Sequence, residues 1–222
     1  MFDMNGRDAF NVKNVLHNIG YRRGVQPSGR VATLLDDYLE NAHNLIGPEY
    51  AYVIRDVISV SGDRVTLAGS ITFTSDVLAR LLRRCSQVAL YAATIGDYLE
   101  ETVDSLAGDG LMLKASVLDA IGSSAVEKVA GLVEDRIGFA ARLRGLMPSR
   151  RFSPGYCDWD ITGQAGLFRA LEDETIDITL TESLLMLPRK STSGIIGLGS
   201  DSDIADYNPC RSCEKKSCAG RR

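Results

Sequence analysis

The longest helical pattern in the chain runs from about residue 111 to residue 143. It constrains the fold more than any other feature. Leu118, Ile121, Ala125, Val129, Leu132 and Ile137 recur at helical spacing and form a stripe that has to be buried against something. Gly122 and Gly131 interrupt it, at a cost of about 1 kcal/mol each relative to alanine in a helix interior. Close packing against a neighbour is the expected offset. What the long helix packs on is set by the segments around it, and these do not alternate as βαβ units would.

Residues 31–46, "VATLLDDYLENAHNLI", place Leu34, Leu35, Tyr38, Leu39, Ala42 and Ile46 on one helical face. "AYVIRDVISV" and "DRVTLAGSITF" read as β-rich runs joined at "SGD". "TSDVLARLLRRC" is a helix with Ser75 as the N-cap candidate, and Val77, Leu78, Leu81 and Leu82 share its face. "QVALYAATIG" is a short buried strand, and "DYLEETVDSLA" is the helix after it. Past the long helix the chain is expected to be irregular around Pro148. A short helix "GQAGLFRALE" follows, then "IDITLTESLLMLP", "STSGIIGLG" and a polar tail. The order β-β-α-β-α-α-α-β predicts an α+β fold, with a largely antiparallel sheet flanked by helices.

With 222 residues the chain can bury a self-supporting core. Its 29 acidic and 25 basic side chains give a formal charge of -4, without the basic excess expected of a nucleic-acid binder. No apolar run approaches the roughly 20 residues that span a bilayer. The N-terminus "MFDMNGRDAF" lacks the basic region and apolar core of a signal peptide. The expected compartment is the cytoplasm, where the five cysteines stay reduced.

There is no Walker A sequence, strand-linked G-x-G-x-x-G, G-x-S-x-G or H-E-x-x-H. His17 and His43 stand apart from any partner pattern. No catalytic residue is assigned, and the chain reads as a protein that binds something bringing its own chemistry. The binding candidate is "SRRFSPGYCDWD", Ser149 to Asp160. Pro154 fixes one φ angle and Gly155 lets the backbone come close to a ligand. Arg151 offers a planar fork for a carboxylate, and Tyr156 offers a ring face and a hydroxyl. The alternative is a connector whose Tyr156 and Trp159 cover the core. A second loop, Thr179 to Gly199, carries "RKSTSG" at 189–194, whose hydroxyls and backbone N–H groups could hold an anion.

Together the two loops resemble the activation (reactivation) domain of cobalamin-dependent methionine synthase. That domain's signature is R-x-[AS]-P-G-Y, then L-T-E-S, then a proline before S-x-S-G. Here these are Arg151, Ser153, Pro154, Gly155 and Tyr156, then Leu180, Thr181, Glu182, Ser183, Pro188, Ser191, Ser193 and Gly194. "TIG" at 94–96 with Leu99 and Glu100, and "LDAIGSSAVE" at 118–127, are similar to free-standing, single-domain relatives. The resemblance spans roughly residues 30–220. It implies S-adenosylmethionine binding, with Arg151 on the carboxylate and Ser153, Gly155 and Tyr156 lining the ligand. An acid on the long helix would face the ammonium or the sulfonium: Glu127, with Glu134 as the alternative. It also implies a cobalamin carried by a partner, a methionine synthase or related corrinoid protein, and a flavodoxin or ferredoxin as electron donor. The implied role is reactivation: one electron and a methyl group restore methylcobalamin.

This chain also departs from the pattern. Where that domain has a proline and then A-C-P after the tyrosine, this one has "CDWD". The family's N-terminal acidic contact has no match, and Tyr207 matches the late tyrosine only loosely. Cys210, Cys213 and Cys218 form a C-x2-C-x4-C tail. With a fourth ligand such as Cys157, it could hold zinc or an iron–sulfur cluster. The expected organisation is an N-terminal extension at 1–29, the activation-like domain at 30–208 and a cysteine-rich basic tail at 209–222. The rival reading is a non-catalytic module that binds a corrinoid protein or a metal.

Overall fold

A computed structural model describes residues 10–22, 24–200, 204 and 206–211. In chain order the elements are α1 (Val12–Asn18), α2 (Gly29–Asn41), β1 (Glu49–Ser61), β2 (Arg64–Leu67), β3 (Ile71–Thr74), α3 (Asp76–Leu82), β4 (Gln87–Thr94) and α4 (Tyr98–Gly108). They continue with α5 (Met112–Leu143), β5 (Met147–Phe152), α6 (Gly163–Ala170), β6 (Thr179–Leu180), β7 (Met186–Leu187) and β8 (Ser191–Gly199). The chain divides into two units: residues 1–49, 93–132 and 177–192, and residues 50–92, 133–176 and 193–222.

The first unit is mainly helical. α2 buries Leu35 and Leu39 of the predicted face, half-buries Leu34 and Tyr38, and adds Val31 one turn earlier. The helix stops at Asn41, and a 3-10 turn over Ala42–Leu45 carries the buried stripe on to Ile46. α1 lies in the segment expected to be an extension, yet Phe10 and Val15 are buried. Asn11 explains its start: its side-chain oxygen accepts from Asn14 N at 3.2 Å, and its own N–H donates to Ser124 Oγ at 3.2 Å. Gly122 has the packing reason anticipated for it, since a Cβ there would lie 2.6 Å from Leu99 Cδ2 of α4. Gly131 has none, because nothing lies within 4 Å of such a Cβ. Of the predicted stripe on α5, Leu132 is only half-buried while the other five side chains are buried.

Most of the six-stranded sheet, in the order β3-β2-β1-β4-β8-β5, lies in the second unit. β1–β2, β2–β3 and β5–β8 are antiparallel, so the α+β expectation holds. Val65 and Leu67 of β2 and Ile71 and Phe73 of β3 alternate with more exposed residues, as strands covered on one face do. β4 is buried from Val88 to Thr94, as suits a strand inside the sheet. α3 begins at the predicted cap: Ser75 Oγ accepts from Leu78 N at 3.1 Å. The expectation of irregular chain around Pro148 is corrected, because Met147–Phe152 is a strand. Proline is tolerated there because β5 is the sheet's edge. No described helix is long and apolar enough to cross a membrane.

Candidate functional site

β5 leads directly into the loop that the sequence singles out. Its register against β8 slips between Pro148 and Arg151, then resumes with Arg151 opposite Ile196 and Phe152 opposite Ile195. Ser149 bridges the slip: its Oγ accepts from Gly197 N at 2.9 Å and donates to the Arg150 carbonyl at 2.6 Å. At the far end of β8, a Cβ on Gly194 would fall on the Phe152 carbonyl oxygen and lie 3.1 Å from Ser153 Oγ. The start of "RFSPGY" and the glycine that ends "STSG" are therefore one place in the fold. Only glycine permits that approach.

Beyond β5 the loop is tied to itself. Gly155 takes φ +85, a left-handed conformation that a side chain would resist, and its N–H donates to the Trp159 carbonyl at 2.8 Å. Trp159 N–H donates to the Tyr156 carbonyl at 3.1 Å. These bonds turn Tyr156 outward, and its side chain is 53% exposed. Trp159 turns inward and meets Phe73 edge-on, with ring centroids 5.1 Å apart. Trp159 thus does cover the core, as the connector reading expects, but Tyr156 does not. Arg151 has only 11% of its side chain exposed, and its Nε lies 3.8 Å from Glu134 Oε2 on α5. A cation and an anion thus stand side by side at the mouth of this loop. Ser153 is half-buried, while Glu127, on the other stretch of α5, is exposed in the first unit.

Tyr207 belongs to the same unit as the loop. Its ring is 6.0 Å from that of Phe152, and its hydroxyl donates to the Val77 carbonyl at 3.4 Å. Burial raises its hydroxyl pKa above the usual tyrosine range; Arg80 opposes this, while Cys157, Asp158 and Asp76 add to it. All four groups therefore sit near that hydroxyl. Cys157 is exposed and Cys210 half-buried. Among the described residues no three His, Cys, Asp or Glu side chains group as metal ligands, and Cys213 and Cys218 lie outside those residues.

The second motif is organised differently. In the first unit, Thr181 to Leu185 close a tight turn between β6 and β7. Thr181 N–H donates to the Leu185 carbonyl at 2.9 Å, and Leu185 N–H donates to Thr181 Oγ1 at 3.0 Å. Arg189 forks onto Asp104 at 2.7 and 2.8 Å, which raises its pKa above the usual arginine range, and its N–H donates to Glu100 at 2.6 Å. Lys190 donates to Ser123 Oγ at 2.9 Å and lies 2.7 Å from Asp119. Ser191 Oγ bonds to the Pro188 carbonyl at 2.6 Å and to Thr94 Oγ1 at 2.9 Å. Ser193, in the second unit, donates to Gln164 at 3.1 Å. In 189–194, where the sequence suggests an anion site, both cations and the hydroxyls of Ser191 and Ser193 bond to groups of the chain itself.

One group missed by sequence reasoning stands out. Asp158 accepts from Ser75 Oγ at 2.7 Å, from Asp76 N at 2.5 Å and, more weakly, from Val77 N at 3.4 Å. The available signal was the pairing of a strong N-cap candidate with the departure "CDWD".

The description "Vitamin B12 dependent methionine synthase, activation domain" matches residues 87–218, more than half of the chain. The chain belongs to the methionine synthase activation domain family. Thirteen solved chains are similar to it in fold. One is described as the crystal structure of the MetH reactivation domain bound to AdoHcy, with a TM-score of 0.66 at 16% identity, covering 89% of this chain and 77% of that one. No curated protein sequence matches. The motifs that carry the resemblance, from "TIG" at 94–96 to Gly194, fall inside the matched segment, and the RFSPGY loop sits near its middle.

Proposed function

We propose that this activation-domain protein binds S-adenosylmethionine at the RFSPGY loop and presents its methyl group to a cobalamin carried by a partner polypeptide, either a methionine synthase or a related corrinoid protein. The observation that carries the reading is the Arg151–Glu134 pair at the mouth of the loop. The amino-acid end of S-adenosylmethionine is a zwitterion, and a nearly buried cation beside a carboxylate is its complement. Arg151 takes the carboxylate as a two-pronged partner. Glu134 takes the ammonium in preference to Glu127, because it already stands beside Arg151. Tyr156 offers its exposed ring and hydroxyl to the ligand, and Ser153 and Gly155 line it. The crystallised relative bound to AdoHcy supports the ligand class. The corrinoid supplies the metal that receives the methyl group, and a flavodoxin or ferredoxin supplies the electron. The protein's contribution is to hold the donor in line, which positioning alone can turn into a large rate gain.

Titration calorimetry tests this. Wild type should bind S-adenosylmethionine, and Arg151→Ala should weaken binding by about 10- to 150-fold, the equivalent of a lost hydrogen-bonded charge. Glu134→Gln should weaken it more than Glu127→Gln does. Equal binding by wild type and Arg151→Ala would remove Arg151 from the site.

A second reading concerns the tail. The Tyr207 ring lies 6.0 Å from that of Phe152, which brings the chain three residues before Cys210 to the loop that carries Cys157 and supports Cys157 as a fourth thiolate for the C-x2-C-x4-C array. Anaerobically purified protein should then contain zinc or iron near one site's worth, and Cys157→Ser should lower it. Metal-free protein with titratable tail thiols ends the idea.

A further inference from the structure

We propose that Asp158 is the positioning residue of the ligand loop: its carboxylate latches the RFSPGY turn to the start of α3 and so sets where Arg151 and Tyr156 point. The proposal rests on the reading that this loop binds S-adenosylmethionine, and its test separates the two.

The latch is a closed circuit of short bonds. One carboxylate oxygen takes the Ser75 hydroxyl at 2.7 Å and the other takes Asp76 N–H at 2.5 Å. Ser75 Oγ in turn accepts from Leu78 N at 3.1 Å. Ser75 is 3% exposed, so its hydroxyl proton is held in place rather than shared with water. α3 is anchored in turn by Leu78, Leu81 and Leu82, all fully buried. A rigid element therefore holds Asp158 from one side. From the other side, Trp159 is 3% exposed and wedged edge-on against Phe73. The turn lies directly upstream of these two residues. Two of its backbone bonds, Gly155 to Trp159 and Trp159 to Tyr156, run through Trp159, and a longer one ties the Tyr156 N–H to the Ser153 carbonyl at 3.4 Å. Moving Asp158 off α3 moves Trp159, and moving Trp159 moves both ends of the Tyr156 turn.

Cys157 holds φ +55 between Tyr156 and Asp158. A non-glycine residue keeps that conformation only where its surroundings enforce it, and the two flanking contacts are what enforce it here. Charge on Asp158 is also suited to its place, since it faces first-turn N–H groups that have no acceptor within the helix.

The experiment uses full-length protein with Asp158→Ala and Asp158→Asn. Because Trp159 is the chain's single tryptophan, its emission reports the latch without any ligand. Asp158→Ala should shift that emission to the red and raise acrylamide quenching, while Asp158→Asn, which keeps one acceptor oxygen, should recover most of the wild-type signal. The far-UV circular dichroism of both variants should match wild type. Calorimetry with S-adenosylmethionine should show a loss of about 10-fold or more for Asp158→Ala, comparable to losing a charged hydrogen bond, and a smaller loss for Asp158→Asn. If wild type binds and Asp158→Ala binds equally well, the positioning role is overturned and the ligand reading stands. If wild type does not bind, the ligand reading fails, and the emission alone decides whether the latch exists. Unchanged Trp159 emission in Asp158→Ala overturns it in either case.

Discussion

The two motifs use the same residue types to opposite ends. In the second, Arg189, Lys190 and Ser191 each meet at least two groups of the chain itself, at 2.6 to 2.9 Å. In the first, Arg151 stands 3.8 Å from one carboxylate, Tyr156 is turned outward, and the tightest bonds belong to Asp158. An arginine near serine, proline and glycine reads as a binding site in either place. The contacts separate them: the second motif clamps its own chain, and the first sets a nearly buried Arg151 beside Glu134 and turns Tyr156 outward. What each side chain meets is a property that composition does not record.

The sharpest way to break this division is at Gly194. It closes the second motif in sequence but packs against the first in space. A Cβ there falls on the Phe152 carbonyl, which is backbone and cannot swing aside, and lies 3.1 Å from Tyr91 Cε1. Gly194→Ala should cost about 3 kcal/mol, the upper end for forcing atoms into a packed site, read as a drop in the denaturation midpoint. An unaffected midpoint would mean that β5 and the loop can shift freely, and the first region would lose its claim to a fixed geometry.

A smaller effect should appear when the two arginines are exchanged as targets. Arg151→Ala should weaken S-adenosylmethionine binding by the margin given above. Arg189→Ala should leave affinity unchanged and cost stability of only about 0.2–1 kcal/mol, the range for exposed ion pairs, since its side chain is 54% exposed. Loss of affinity in Arg189→Ala would put the second motif in the ligand site after all.

What could be read beforehand follows the same line. The Ser75 cap, the α2 stripe and the apolar β4 were legible because local spacing decides them. β5 was not, because Pro148 and the polar Ser149 and Arg150 give no alternation; its strand character comes from pairing with β8, where Phe152 stands opposite Ile195, 43 residues further on. The clamp was hidden for a related reason. Arg189 finds Asp104 85 residues away and Lys190 finds Ser123 67 residues away, distances over which no periodicity carries information. Asp158 met both difficulties, since its partner Ser75 is 83 residues distant and already had a complete local role as a cap.

The smallest expected effect sharpens the comparison from the helix side. Gly122 and Gly131 were equivalent in the sequence, each a break in one helical stripe. In the structure a Cβ on Gly122 would meet Leu99 Cδ2 at 2.6 Å and Lys190 Cε at 3.4 Å. The missing side chain therefore makes room for Leu99, while the Lys190 stem lies at ordinary contact distance. Leu99 Cδ2 is the end of a flexible side chain and can yield, so the strain is modest. Gly131 has open space around the same position and an ordinary helical φ. Gly131→Ala should stabilise the protein by about 0.5–1 kcal/mol through helix propensity alone. Gly122→Ala gains the same propensity but has to displace Leu99 Cδ2, so it should come out below Gly131→Ala by about 1 kcal/mol or more, the low end for overpacking. Thermal denaturation of the two variants reads the result, and equal midpoints for Gly122→Ala and Gly131→Ala would show that α4 does not press on α5 at this point.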